Sequence, residues 1–252
     1  MDQNENNENI ERDEQLQMAV EELNANRPID TIGCKQYAWG AMAGNRRCGA
    51  MVLVMCVLIA LVLSAPLFVL EEGTGLYIAW DWISTMLCWV VSLGMVANFL
   101  DIARGKKPGL ARIFVGFQSV GFFFRYLGME ILRVIFVFLW SLLLIVPGLM
   151  KMYSYTMSEW VLLDHSEYSP LQAITASKKM MYGHRLEFVM LQLRFLGWFL
   201  LCFVTLGIAC FWVMPYYYTA KSKFYMDLLA REGKECHREE SSECHRERSE
   251  AI

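Results

Sequence analysis

From Cys48 to Leu70 the chain runs without a single Asp, Glu, Lys or Arg. A helix of that length crosses a hydrocarbon core of about 30 Å. Arg46 and Arg47 precede the run, and Glu71 and Glu72 follow it. Lys and Arg collect on the cytoplasmic side of a membrane, so the N-terminus is placed inside. Gly73-Thr74-Gly75 marks a turn. A second span over about Trp82 to Leu100 returns to a basic loop containing Arg104, Lys106, Lys107 and Arg112, which agrees with that orientation.

The distribution of charge extends the argument to the whole chain. Hydrophobic residues make up 56% of 252 residues, and the charged ones crowd into the two ends or beside the apolar runs. The net charge of −3 therefore describes the tails and not the body of the chain. This pattern fits a multi-pass membrane protein and argues against a soluble globular enzyme. Of the eight cysteines, Cys56, Cys88, Cys202 and Cys210 lie inside apolar segments and read as small hydrophobes. No compact disulfide framework is expected.

Residues 1–30 are an acidic, Asn- and Glu-rich stretch expected to be a solvated tail, without the positive start and apolar core of a secretory signal. Thr31 to Asn45 reads as an interfacial helix. Ile113 to Phe124 reads as an amphipathic segment at the inner surface, ending at Arg125. A third span covers about Leu127 to Val146. It carries Glu130 and Arg133, which at i and i+3 share a helix face and can pair; the expected place for them is the membrane edge.

Pro147-Gly148 then breaks a long apolar run, Val134 to Val146, which continues as Leu149 to Tyr155. Such a break is tolerated in a membrane only where protein or a water-filled cavity satisfies the freed backbone groups. The segment after it, to Leu163, is short and polar. The expectation is a broken helical hairpin that crosses twice, with the break near the outer face.

Ser169 to His184 carries the clearest helix signals. Ser169 fits the N-cap, Pro170 the first helical position and Gln172 a capping box, with Gly183 placed to end it. Leu171, Ile174 and Met181 recur on one side, and the helix either lies at the inner membrane surface with Lys178 and Lys179 offered to anionic lipid or packs on the bundle with those lysines solvated. Leu186 to Thr205, containing Arg194, makes a fifth span, and Ile208 to Leu229 a sixth, with Pro215 inside it and Tyr216-Tyr217-Tyr218 as interface anchors. The chain ends in a tandem near-repeat from Glu235 to Glu250, each copy holding an adjacent Cys-His pair. That adjacency lacks the ligand separation of zinc sites, so a duplicated low-complexity extension over 231–252 is expected. The fold class is thus all-α: a multi-pass transmembrane helical bundle of about six spans over 31–230, with both termini cytoplasmic.

Leu139 to Gly148, followed by Lys151, Tyr153-Ser154-Tyr155 and Asp164, forms a recognisable block. Ala173-Ile174, Ser177-Lys178, Met180-Met181 and Gly183-His184 form another. Phe195-Leu196-Gly197-Trp198, Leu206-Gly207-Ile208, Pro215-Tyr216 and Phe224-Tyr225 complete the set. In this order the set resembles the bacterial integral-membrane family catalogued as domain of unknown function 975, over roughly Tyr37 to Leu229. The resemblance implies a multi-pass protein of the bacterial cytoplasmic membrane and supplies no reaction. Where Arg194 stands, the family pattern usually has a small polar residue. The Pro-Gly break followed by a Ser-containing cytoplasmic helix is more loosely similar to the membrane domain fused to some glycerophosphodiester phosphodiesterases, which hints at lipid-related work.

No His-Glu-x-x-His, Gly-x-Ser-x-Gly or P-loop is present. Asp164-His165 is the single pairing suited to acid-base chemistry, and in a loop it reads as solvated. No enzymatic activity, cofactor, metal or nucleic-acid partner is expected. The expected role is a membrane scaffold or regulator that meets anionic lipid head groups or other membrane proteins. The alternative is transport or handling of a solute or lipid through the broken helix. The candidate positions are Pro147, Gly148, Asp164, Ser177, Lys178, Lys179, Glu130, Arg133 and Arg194, with Asp81 as a further polar residue along a path.

Overall fold

The structure, a computed structural model, describes the backbone of residues 28–143 and 145–250, with side chains for 28–142 and 150–233. Eight α-helices and two 3-10 segments make up the described chain, with no strand among those residues. Two compact units are distinguished, residues 30–226 and the two ends of the chain, and the helix packing belongs to the first of them.

Helix α1 (Thr31–Ser64) joins the expected interfacial helix and first span into one element. Asp30 caps its start by accepting from the Ile32 N–H. Asn45 departs from helical geometry inside it, at φ −119° and ψ 15°. The kink falls one residue before Arg46-Arg47, so the apolar part beyond it is roughly 27 Å long at 1.5 Å per residue. Pro66 sits in the 3-10 turn Ala65–Phe68 that ends the helix. Helix α2 (Gly75–Ala103) begins at a Thr74 cap and runs back antiparallel to α1. The Trp80 indole N–H donates to Leu63 O at 2.9 Å, and the Tyr37 hydroxyl donates to Ala103 O at 2.7 Å.

The inner half of α2, from Val90 to Ala103, is the centre of the core. Val91 packs with Val52 and Ile113, and Phe99 and Ile102 pack with Met42. The expected amphipathic segment 113–124 is divided: residues Leu110–Phe117 form a 3-10 stretch, and α3 starts at Val120. Gly94 explains why the 3-10 stretch lies so close. A Cβ there would stand 1.9 Å from Ile113 O.

Helices α3 (Val120–Leu143), α4 (Ile145–Ser154) and α5 (Ser158–Asp164) form a hairpin. Arg125 reaches Ser166 O at 2.7 Å, Arg133 reaches Glu159 at 2.7 Å, the Phe136 and Tyr155 rings lie 6.2 Å apart, and Lys151 lies 4.5 Å from the Trp140 ring. All four pairs are symmetric about residues 145–146. The two arms therefore run antiparallel in one register from Arg125 to the tip, a depth of roughly 27 Å.

Helix α4 already includes Pro147 and Gly148, and the expected break at that pair is not where the helix ends. Pro147 stands in the first turn of α4, where its missing N–H costs no helical hydrogen bond. The side chains of 143–149 lie outside the described residues. A second interruption, at Tyr155 to Met157, separates α4 from α5.

Helix α6 (Pro170–Met180) has its capping box: Ser169 Oγ accepts from Gln172 N at 3.4 Å, and Gln172 Oε1 accepts from Ser169 N at 2.8 Å. Gly183, at φ +85°, ends the turn after the helix. The face that α6 buries is Ala173, Ile174, Ser177 and Met180, while Leu171 is exposed. Of the stripe read from the sequence, Ile174 and Met181 are buried and Leu171 is not. Pro170 seats against Gly128 of α3, so α6 packs on the hairpin. Helix α7 (Arg185–Val204) and the first part of α8 (Cys210–Glu250) run antiparallel, with Phe188 against Phe224 and Phe195 against Tyr217. The repeated segment 235–250 lies in the backbone of α8, and its side chains lie outside the described residues.

Among the described residues three helices are long and apolar enough to cross a membrane: Thr31–Phe68, Gly75–Ala103 and Arg185–Val204. Their exposed side chains are large and apolar, as at Leu61, Val62, Leu200 and Phe203. Surface of this kind is what lipid covers in a membrane helix bundle.

Candidate functional site

Glu130 and Arg133 face protein. The Glu130 side chain is 4% exposed, and its Oε2 lies 2.6 Å from Arg133 Nη2. Their i, i+3 spacing supplies this pair. The second partner comes from the hairpin register: Glu159, at the start of α5, receives Arg133 Nη1 at 2.7 Å. One guanidinium thus serves two carboxylates through separate nitrogens. The planar fork of Arg permits such an arrangement and an ammonium does not. Tyr126, one turn before Glu130, donates to Trp89 O at 3.0 Å and ties this end of α3 to α2.

A cleft of about 560 Å3 opens beside this cluster. Arg133, Glu159 and Lys221 form its charged part. Val134, Val137, Phe138 and Ser141 follow along α3 at helical spacing, and Gln192 enters from α7. Met152, Tyr153 and Thr156 come from α4 and the interruption after it. The cleft therefore lies alongside the interruption between α4 and α5, with charged residues at one end and apolar residues of α3 continuing from them.

Lys221 reads in the sequence only as the cytoplasmic end of a span, and the structure gives it a larger place. Its Nζ lies 4.7 Å from the centre of the Trp160 ring, 5.5 Å from Tyr217, 5.6 Å from Tyr218 and 5.7 Å from Phe188. Tyr217 and Tyr218, expected as interface anchors, instead enclose an ammonium. Trp160 is fixed by its indole N–H donating to Ser222 Oγ at 3.0 Å. Among the described residues no carboxylate lies within ion-pair distance of Lys221. A local signal for the enclosure exists: Tyr217 and Tyr218 precede Lys221 by four and three residues and share its helix face.

Ser177 serves the backbone. Its Oγ donates to Ser154 O at 2.8 Å and accepts from Met157 N at 3.2 Å. Both groups belong to the interruption between α4 and α5, so α6 supplies the hydrogen bonds that the broken helix has lost. Lys178 and Lys179 are exposed next to it.

Asp164 sits outside the cleft. Its Oδ2 accepts from Arg104 at 2.5 Å and from the Tyr225 hydroxyl at 3.0 Å. The hydrogen bond to Asp164 raises the Arg104 pKa above its usual value and keeps the guanidinium charged. Asp164 and His165 do not pair. The His165 ring instead approaches Glu167 at 3.2 Å and stacks on Tyr168.

Arg194 does not join Glu130 and Arg133. Its Nε donates to Thr31 Oγ1 at 2.9 Å, and its carbonyl accepts from Lys35, linking α7 to the start of α1. Asp81 lines a different cleft, of about 450 Å3, formed by α1, the turn after it and α2. A path through all four charged residues is therefore not built. Arg133 alone of them reaches the cleft beside the hairpin.

The fold and the site define an all-helical protein with apolar helices of membrane-crossing length and a cleft at an interrupted helix pair. Within it, residues 142–232 match the profile of the family described as "Protein of unknown function (DUF975)". The match begins at the end of α3 and runs into α8. It includes Met152, Tyr153, Thr156, Glu159, Gln192 and Lys221 of the cleft and leaves out the α3 wall. No curated protein and no solved structure matches the chain.

Proposed function

We propose that the protein is a multi-pass protein of the bacterial cytoplasmic membrane that handles an amphipathic molecule, a lipid or a solute, in the cleft beside the α3–α5 hairpin. The observation that carries this is the polarity of the cleft itself. Arg133, Glu159 and Lys221 stand at one end, and Val134, Val137 and Phe138 continue from them along α3. Largely pre-formed concave sites with a few placed polar groups are where small molecules bind. Interrupted helices build such sites in membrane transporters, because their ends free backbone groups. The proposed topology is about six crossings with both termini cytoplasmic.

The test is the chain purified in a neutral detergent and analysed for retained small molecules. An amphiphile in near-stoichiometric amount is expected, and Ser141→Trp, which fills the cleft, is expected to release it. A chain that retains nothing, and binds no amphiphile added back, would remove this reading.

The scaffold reading draws support from a separate observation, the exposure of Lys178 and Lys179 on α6. Replacing both by Gln is expected to weaken association with vesicles of anionic lipid. Unchanged association would leave those lysines as solvated surface.

A further inference from the structure

The polar groups of the cleft do not balance one another. Arg133 gives one nitrogen to Glu130 and another to Glu159. Lys221, the second cation of the cleft, is enclosed by four aromatic rings and has no hydrogen-bond acceptor among the described residues. Ring faces attract an ammonium. They do not take its three N–H bonds, and among the described residues no acceptor does. The direction left open to Lys221 is the cleft it lines.

We propose that the cleft receives an anionic phospholipid, with Lys221 donating to a phosphate oxygen and one acyl chain lying along Val134, Val137 and Phe138. This rests on the amphiphile reading of the cleft and names its chemical class. The phosphate supplies the acceptor that the protein does not. Glu130 and Glu159 share the single charge of Arg133, so the positive charge that faces a phosphate in the cleft is that of Lys221. Phe138, 67% exposed, gains cover from the chain.

The experiment is native mass spectrometry of the full chain released from a neutral detergent. It is titrated with phosphatidylglycerol or with a diacylglycerol of the same acyl chains. Wild type is expected to hold phosphatidylglycerol at least about tenfold more tightly, the equivalent of about 1.4 kcal/mol. Lys221→Met is expected to remove that preference while diacylglycerol binding stays as it was, and Lys221→Arg to keep it. Equal binding of the two lipids by wild type, or an undiminished preference in Lys221→Met, would overturn the anionic assignment and leave the amphiphile reading standing. Binding of neither would overturn both. Inorganic phosphate at the same concentration is expected to leave the lipid in place; displacement would make free phosphate the ligand and refute the lipid. If Lys221→Met does not fold, Val137→Trp is the second variant. It keeps every charge and is expected to lower phosphatidylglycerol retention at least about tenfold; full retention would refute the proposed position of the chain.

Discussion

At the scale of single residues, Arg133 has the largest expected consequence. Glu130 and Glu159 are mostly buried and both depend on its guanidinium. Removing one member of such a group leaves charge buried without compensation, at a cost of about 3–5 kcal/mol. Arg133→Met is therefore expected to lower the thermal midpoint sharply in detergent. Adding Glu130→Gln and Glu159→Gln is expected to recover most of the loss, because the charges left behind go with the partner. A triple variant as unstable as the single one would show that the apolar stem of Arg133, not its charge, holds α3 to α5. The pair Glu130–Arg133 was readable from its spacing, and its third member was not. Glu159 meets Arg133 only through the register of the hairpin, which no local pattern encodes.

At the scale of elements, close backbone approach and borrowed hydrogen bonds decide what can be changed. Ser177→Ala leaves Ser154 O and Met157 N unsatisfied in a buried place, at a cost of about 1–3 kcal/mol. Thr at the same position keeps a hydroxyl. Thermal unfolding is expected to rank wild type, Ser177→Thr and Ser177→Ala in falling order, and an Ala variant equal to wild type would mean that water replaces the hydroxyl. Gly94→Ala places a methyl group against Ile113 O and is expected to separate the 3-10 stretch Leu110–Phe117 from α2, with loss of folded protein on size exclusion. The capping box of α6 was legible because Ser169, Pro170 and Gln172 carry it within four residues. The face that α6 buries was legible in part, at Ile174 and Met181 but not at Leu171. Its short apolar pattern admits either Leu171 or Ala173 and Ser177 as inward positions, and the seat of Pro170 on Gly128 chooses between them. The Pro-Gly pair drew attention to the right part of the chain for an incomplete reason. A proline in the first turn of α4 starts a helix as naturally as it breaks one, and the interruption that reaches the cleft lies further on, at Thr156.

At the scale of the whole molecule, apolar surface that faces outward is the quantity that organises the rest. Leu61 and Val62 of α1, Phe138 and Leu142 of α3, and Leu200 and Phe203 of α7 are all exposed. Water makes such a surface a liability, and lipid makes it the ordinary outer face of a helix bundle. The proposed orientation rests on the basic residues. Arg46 and Arg47 lie just past the kink in α1, and Lys106 and Lys107 lie exposed in the loop after α2. Both groups belong to one end of the α1–α2 hairpin, because Tyr37 of α1 bonds to Ala103 of α2. The turn at Gly73-Thr74 belongs to the other end, and Gly73 has open space around it. An epitope inserted after Gly73 is therefore expected to be reached by antibody on intact cells once the outer envelope is opened. The same epitope inserted after Lys107 is expected to be reached only when the cytoplasmic membrane is permeabilised. The reverse result would invert the proposed topology and carry the charged end of the cleft to the opposite leaflet, since Asp164 and Tyr225 join the α5 and α8 walls to Arg104 at the end of α2. Labelling at both sites in intact cells would mean that α1 and α2 do not cross at all. The exposed apolar faces would then need a protein partner instead of lipid.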